Sequence, residues 1–106
     1  MHGAGRRVGE ILGVTRHERV LRRVLSGAAD AAIRFDELCA LLRRLGFGER
    51  QRGGSHHIFS HQGVAEILNL QPRPGGEAKP YQVRQVREVI LNYGLAAELG
   101  ETEEPE

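Results

Sequence analysis

The side chains best suited to chemistry lie in the segment Gly53-Gly54-Ser55-His56-His57-Ile58-Phe59. Two adjacent glycines permit a tight turn and let a ligand approach the backbone closely. A strand leaving such a turn sends alternate side chains to opposite faces. His56, Ile58 and Ser60 then share one face, and His57 and Phe59 share the other. One imidazole is therefore more accessible than its neighbour, although alternation alone does not say which. Near neutral pH an imidazole can take a proton from a ribose 2′-hydroxyl or give one to a leaving oxygen. Attack of that hydroxyl on the adjacent phosphorus cuts RNA without a metal and restricts the reaction to RNA. Arg52 and Lys79 are candidates to offset the phosphate charge that grows in the transition state. The competing reading is an ordinary strand histidine with a structural or solvated role. Metal binding by His56, His57 and His61 is disfavoured, because neighbouring strand residues point apart and no carboxylate has ligand-like spacing to them. No cofactor is expected.

The elements that must position this segment follow from periodicity. Val20, Leu21, Val24 and Leu25 recur at helical spacing, which predicts a short helix over residues 18–26, ended by Ser26-Gly27. Phe35, Leu38, Cys39, Leu42 and Leu45 define one face of a second helix. Asp36 and Glu37 suit its N-terminus, Arg43 and Arg44 its C-terminus, and Gly46 a left-handed stop. Residues 47–52 and 55–60 read as two strands around the Gly53-Gly54 hairpin turn. Residues 61–65 read as a connection and residues 66–71 as a third strand. Pro72, Pro74, Gly75 and Gly76 mark a loop. Pro80 opens a last helix in which Val83, Val86, Ile90 and Tyr93 keep one face and Gly94 is the stop. The expected fold is α+β, in the order α-α-β-β-β-α, with a three-stranded antiparallel sheet and helices on one of its faces.

Composition sets the surroundings. The 106 residues fit one domain, and the apolar and charged fractions, 40% and 27%, are those of a soluble globular protein. The net charge of +1 hides an asymmetry: Glu98, Glu101, Glu103, Glu104 and Glu106 crowd the last nine residues. Residues 1–97 carry 15 bases against 9 acids, a net +6, and 14 of those bases are Arg. Arg pairs bidentately with phosphate and stacks on bases, so a basic body with an acidic tail suits a polyanion; an Arg-rich solvated surface is the plainer alternative. The single Cys39 excludes internal disulfides and Cys-rich zinc modules, and falls on a helical apolar face as a buried thiol. A reducing cytoplasm fits this usage. No apolar stretch approaches a membrane span, and Arg6, Arg7 and Glu10 precede no apolar run, so neither a membrane nor a secretory leader is expected. The expected organisation is an N-terminal extension over residues 1–15 without order, a domain over 16–97 and an acidic tail over 98–106.

The run Phe35-Asp36-Glu37-Leu38, Leu41-Leu42, Leu45-Gly46-Phe47, then Gly54-Ser55-His56-His57-Ile58-Phe59, resembles the HicA (YcfA-like) family of toxin–antitoxin systems. The likeness spans residues 33–95. It implies a fold similar to the double-stranded-RNA-binding domain, mRNA cleavage, and inhibition by a partner antitoxin, HicB. It also implies that the essential histidine is the one after Gly-Ser, which is His56 and not His57, with Gly54 as the turn glycine. Many family members carry a Pro-x-His element on the third strand and a short lysine-containing loop before the last helix. Here that region reads Asn69-Leu70-Gln71-Pro72, then a longer loop to Lys79-Pro80-Tyr81, and no histidine follows His61. Many members also lack the first helix. Residues 1–13 match nothing in the family and read as upstream sequence in frame, which would put the start near Val14.

The resulting expectation is an endoribonuclease with His56 as general acid or base, and with Gly54, Ser55, Arg52, Arg73 and Lys79 contacting RNA. In the last helix, Gln82, Arg84, Gln85, Arg87 and Glu88 flank the apolar stripe as a solvated face, and the loop carrying Arg73 and Lys79 is the better place for phosphate contact. The alternatives are a non-catalytic RNA-binding module and a protein–protein adaptor of the same fold.

Overall fold

The computed structural model describes residues 15–97 and Leu99. Helix α1 (Arg16–Ser26) is followed by a 3-10 turn (Asp30–Ala32) and helix α2 (Phe35–Arg44). Strands β1 (Gly48–Arg52), β2 (His56–His61) and β3 (Val64–Leu70) form one antiparallel sheet in the order β1-β2-β3, and helix α3 (Pro80–Tyr93) closes the domain. The α+β order inferred from periodicity is the one observed. The expected extension over residues 1–15 lies, Thr15 apart, outside the described residues, as does the expected start near Val14. The acidic tail lies outside them too, except for Leu99, which is buried.

Local chemistry sets the helix ends. Thr15 Oγ1 accepts the backbone N–H of Glu18 at 3.0 Å, an N-cap that starts α1 two residues before the expected position. Gly27, with φ of 74°, ends it. At the end of α2, Phe47 N–H donates to Leu42 O and Gly46 N–H to Arg43 O, both at 3.0 Å, around a Gly46 φ of 98°. This paired arrangement satisfies two carbonyls that the helix leaves open, and it turns the chain directly into β1.

The three helices cover one face of the sheet. Phe59, Leu68 and Leu70 from that face join Val24, Leu38, Leu41, Leu42, Val83, Val86 and Ile90 from the helices in a single core. Three expected boundaries need correction. β1 begins at Gly48 because Phe47 turns into the core, and β2 begins at His56 because Ser55 belongs to the turn. β3 begins at Val64, two residues early, so Gln62-Gly63 alone joins β2 to β3. Buried Val64 pairs with His61 beyond a bulge after Phe59, an irregularity that breaks strict alternation and hides the strand start.

The Pro/Gly loop is also more ordered than its composition suggests. Gly76 N–H donates to Arg73 O and Arg73 N–H to Glu77 O, while Gly76 O and Ala78 N–H bond to Phe35 N–H and Ile33 O. The loop is thereby stitched to the entry of α2, and it delivers Lys79 to the N-cap of α3.

Candidate functional site

The hairpin between β1 and β2 is a three-residue turn of Gly53, Gly54 and Ser55, with Arg52 paired to His56. Gly53 and Gly54 have φ of 56° and 79°, a region that side chains with a Cβ enter at a cost. A Cβ at either would meet nothing within 4 Å. Both glycines therefore answer to backbone conformation and not to packing.

Alternation along β2 separates the two histidines. His57 and Phe59 face the helices; His56, Ile58 and Ser60 face away from them. His57 is held on the inner side: its Nδ1 lies 2.6 Å from Glu49 Oε2, and its ring meets Phe35 edge-on at 5.0 Å. Glu49 Oε1 accepts Arg43 Nε–H at 2.8 Å. The Arg43 guanidinium, and then the His57 ring, hold the Glu49 carboxyl below its ordinary range. This trio joins α2 to both strands of the hairpin. His61, the third histidine of the segment, packs on Phe47 at 5.0 Å and accepts Gly63 N–H at Nδ1. The three rings are thus engaged in three separate places.

His56 is half-buried on the open face. Its Nδ1 lies 3.2 Å from Asn69 Oδ1. An amide oxygen only accepts, so the contact is a hydrogen bond in the Nδ1–H tautomer, the form in which Nε2 of the neutral ring is the free acceptor. Gln71 follows the last residue of β3 and joins two of the expected site residues. Its Nε2 donates to Ser55 Oγ at 3.3 Å, and its Oε1 accepts Lys79 Nζ–H at 3.1 Å. Arg52, the cross-strand partner of His56, is exposed and has no ion-pair partner among the described residues, and the same holds for Arg50. The open face accordingly carries an imidazole, two uncommitted guanidinium groups and an ammonium at its margin. Ile67, 62% exposed, is a large apolar side chain on β3.

His56, Ser55, Arg52 and Lys79 converge on one end of the sheet, beside Gly54 of the turn. Arg73 stands apart, exposed in the loop stitched to α2, with no side-chain partner among the described residues. Residue spacing does not single out Asn69, Gln71 or Gln82 as site residues. The signal available for Asn69 is its place in the strand that pairs with the one carrying His56. Arg87, expected on a solvated face, is instead tied down: its Nη1 donates to Val24 O at 2.9 Å and to Asp30 Oδ1 at 3.0 Å, and its Nη2 to Asp30 Oδ2 at 3.2 Å.

Residues 35–91 match the family described as HicA toxin of bacterial toxin-antitoxin. The chain belongs to the HicA toxin family. The match runs from the first residue of α2 into α3 and contains the whole sheet, the turn and Lys79. Helix α1 lies outside the matched stretch and packs on α2 and α3 as an addition to the HicA region. A search of curated proteins and one of solved structures found no match. HicA toxins work as one half of a toxin–antitoxin pair and are generally ribonucleases, and that description extends to this chain at the level of the family. No described helix is long and apolar enough to cross a membrane.

Proposed function

We propose that this HicA toxin cuts mRNA by intramolecular transesterification, with His56 as the general base and its conjugate acid as the proton donor. Nε2 of His56 takes the proton of a ribose 2′-hydroxyl as O2′ bonds to phosphorus. The P–O5′ bond breaks, and the departing oxygen acquires a proton from solvent or from imidazolium. The products are a 2′,3′-cyclic phosphate and a 5′-hydroxyl, and no metal or other cofactor takes part. Arg52 and Lys79 neutralise the phosphate, while Gly54 and Ser55 let the sugar–phosphate chain lie close to the turn. Arg73 reaches flanking phosphates from the loop.

The observation that carries this reading is the position of His56. It faces outward from the sheet with Nδ1 engaged by Asn69, whereas His57 is committed to Glu49 and Phe35. A HicB-like antitoxin would silence the enzyme by covering the same basic face. On this reading the portion α2-β1-β2-β3-α3 is a variant of the double-stranded-RNA-binding fold preceded by an added helix, and the protein acts in the cytoplasm, where mRNA and antitoxin are met.

The test is cleavage of an unstructured mRNA fragment in EDTA by the wild type and by His56→Ala, paired with a gel shift at low salt. The expected result is cleavage by the wild type alone, cyclic-phosphate termini, and binding by both proteins. Binding without cleavage by the wild type would reassign the protein as a non-catalytic RNA-binding module. Failure of both to bind at low salt, where phosphate contacts are strongest, would favour the adaptor.

A further inference from the structure

Gln82 is the single polar side chain buried among the described residues, at 6% exposure. A buried amide persists when its donor and acceptor are both used. Gln82 Nε2 donates to Asn69 O at 3.1 Å, and Gln82 Oε1 accepts Gln71 N–H at 3.1 Å. The carbonyl of one strand residue and the N–H of the next but one point to the same side, and a neighbouring strand would pair with that couple. Among the described residues β3 is the edge of the sheet and has no such neighbour at this side. Helix α3 therefore supplies, through one side chain, the pairing that a fourth strand would give.

The two residues gripped in this way are the two whose side chains enter the candidate site. Asn69 offers Oδ1 to His56 Nδ1, and Gln71 spans Ser55 Oγ and Lys79 Nζ. We infer that Gln82 is a positioning residue for RNA cleavage, fixing β3 so that Asn69 holds the proton on Nδ1 of His56 and Gln71 holds the Lys79 ammonium beside the turn. The inference rests on His56 being the general base. Gln82 itself touches no RNA; it acts through Asn69 and Gln71, which are positioning residues in turn.

The experiment compares the full chain with Gln82→Met, Gln82→Glu and Asn69→Ala. The His56 tautomer is read by long-range ¹H–¹⁵N NMR at a pH where the ring is neutral, and single-turnover cleavage is followed across pH. Wild-type His56 is expected to carry its proton on Nδ1, and Gln82→Met and Asn69→Ala to shift population to the Nε2–H form. Both should lower the cleavage rate on the order of tenfold; RNA affinity should stay nearly unchanged in Asn69→Ala and weaken a few-fold in Gln82→Met, which also frees Gln71 and Lys79. Gln82→Glu is close to isosteric. Its protonated carboxyl restores both bonds, whereas its carboxylate loses the bond to Asn69 O. Its rate relative to wild type at the same pH should therefore be near one at low pH and fall as pH rises. If Gln82→Met does not fold, this pH-dependent recovery in Gln82→Glu carries the test.

An unchanged tautomer with an unchanged rate in a folded Gln82→Met, or a Gln82→Glu defect that does not vary with pH, would overturn the inference. The reading beneath it fails separately. If His56→Ala still cleaves, His56 is not the base, yet a tautomer shift in Gln82→Met would still establish the link from α3 to the imidazole.

Discussion

Arg87→Met is expected to cost this domain about 2–3 kcal/mol of stability while leaving the open sheet face intact. The figure follows from what the guanidinium holds. Two nitrogens form a fork on the Asp30 carboxylate, and one of them also satisfies Val24 O near the C-terminal end of α1. The Arg87 and Asp30 side chains are only 18% and 15% exposed. Stranding one partner of a fully buried pair costs about 3–5 kcal/mol. Partial access of water to the abandoned carboxylate brings the cost below that range. For a domain of this size each kcal/mol moves Tm by about 4–8 °C, so Arg87→Met should melt roughly 10–20 °C below wild type. The assay is thermal unfolding by circular dichroism of the wild type, Arg87→Met, Asp30→Asn and the double variant. The cycle should return a coupling of about 1–3 kcal/mol. A Tm change of less than about 3 °C, or a coupling under about 0.5 kcal/mol, would refute the argument. It would mean that the fork is solvated and that Arg87 belongs with the free surface arginines. RNA cleavage by Arg87→Met below its melting temperature should match wild type, because this guanidinium is already engaged.

Two further outcomes test the interior. The Glu49 carboxyl titrates below its ordinary value of 4.5 in the folded protein, chiefly through Arg43 and then His57. A depressed folded pKa contributes stability that is present above the ordinary value and lost as pH falls through the folded one. The Tm gap between wild type and Glu49→Gln should therefore be widest near neutral pH and shrink below 4.5; a gap that grows with acid would contradict the pairing. Burial, and then the Glu49 charge, push the Cys39 thiol up to about 12. At pH 8 only about one thiol in ten thousand is then ionised, so a thiol-specific reagent should label Cys39 only after denaturation. Labelling of the native protein at the rate of a free thiol would show that α2 opens or that Cys39 is exposed.

Much of the fold is written in periodicity. The stripe Phe35, Leu38, Cys39, Leu42 and Leu45 specifies α2 because a helix lacking a buried face would not hold that spacing, and Gly46, Gly27 and Gly94 end their helices because left-handed backbone costs glycine least. Gly53-Gly54 marks the hairpin for the same reason. β3 is harder to delimit: the bulge after Phe59 breaks alternation, so Val64 reads as connection although its side chain is in the core. The loop at residues 72–78 reads as a loop and no more, since its composition says nothing of the bonds that Gly76 and Ala78 make to the entry of α2.

Residue order alone is enough for the succession of elements, the glycine turn and a pair of histidines that must point to opposite faces, because these depend on neighbours along the chain. Packing in three dimensions settles which face the helices cover, and so which imidazole looks outward. Packing also commits Arg87 to Asp30, brings Lys79 to Gln71, and lets an amide from α3 complete the edge of β3. Those contacts join residues that lie far apart in the chain, or on different elements, and their geometry is set by the core. Residue spacing carries no record of it.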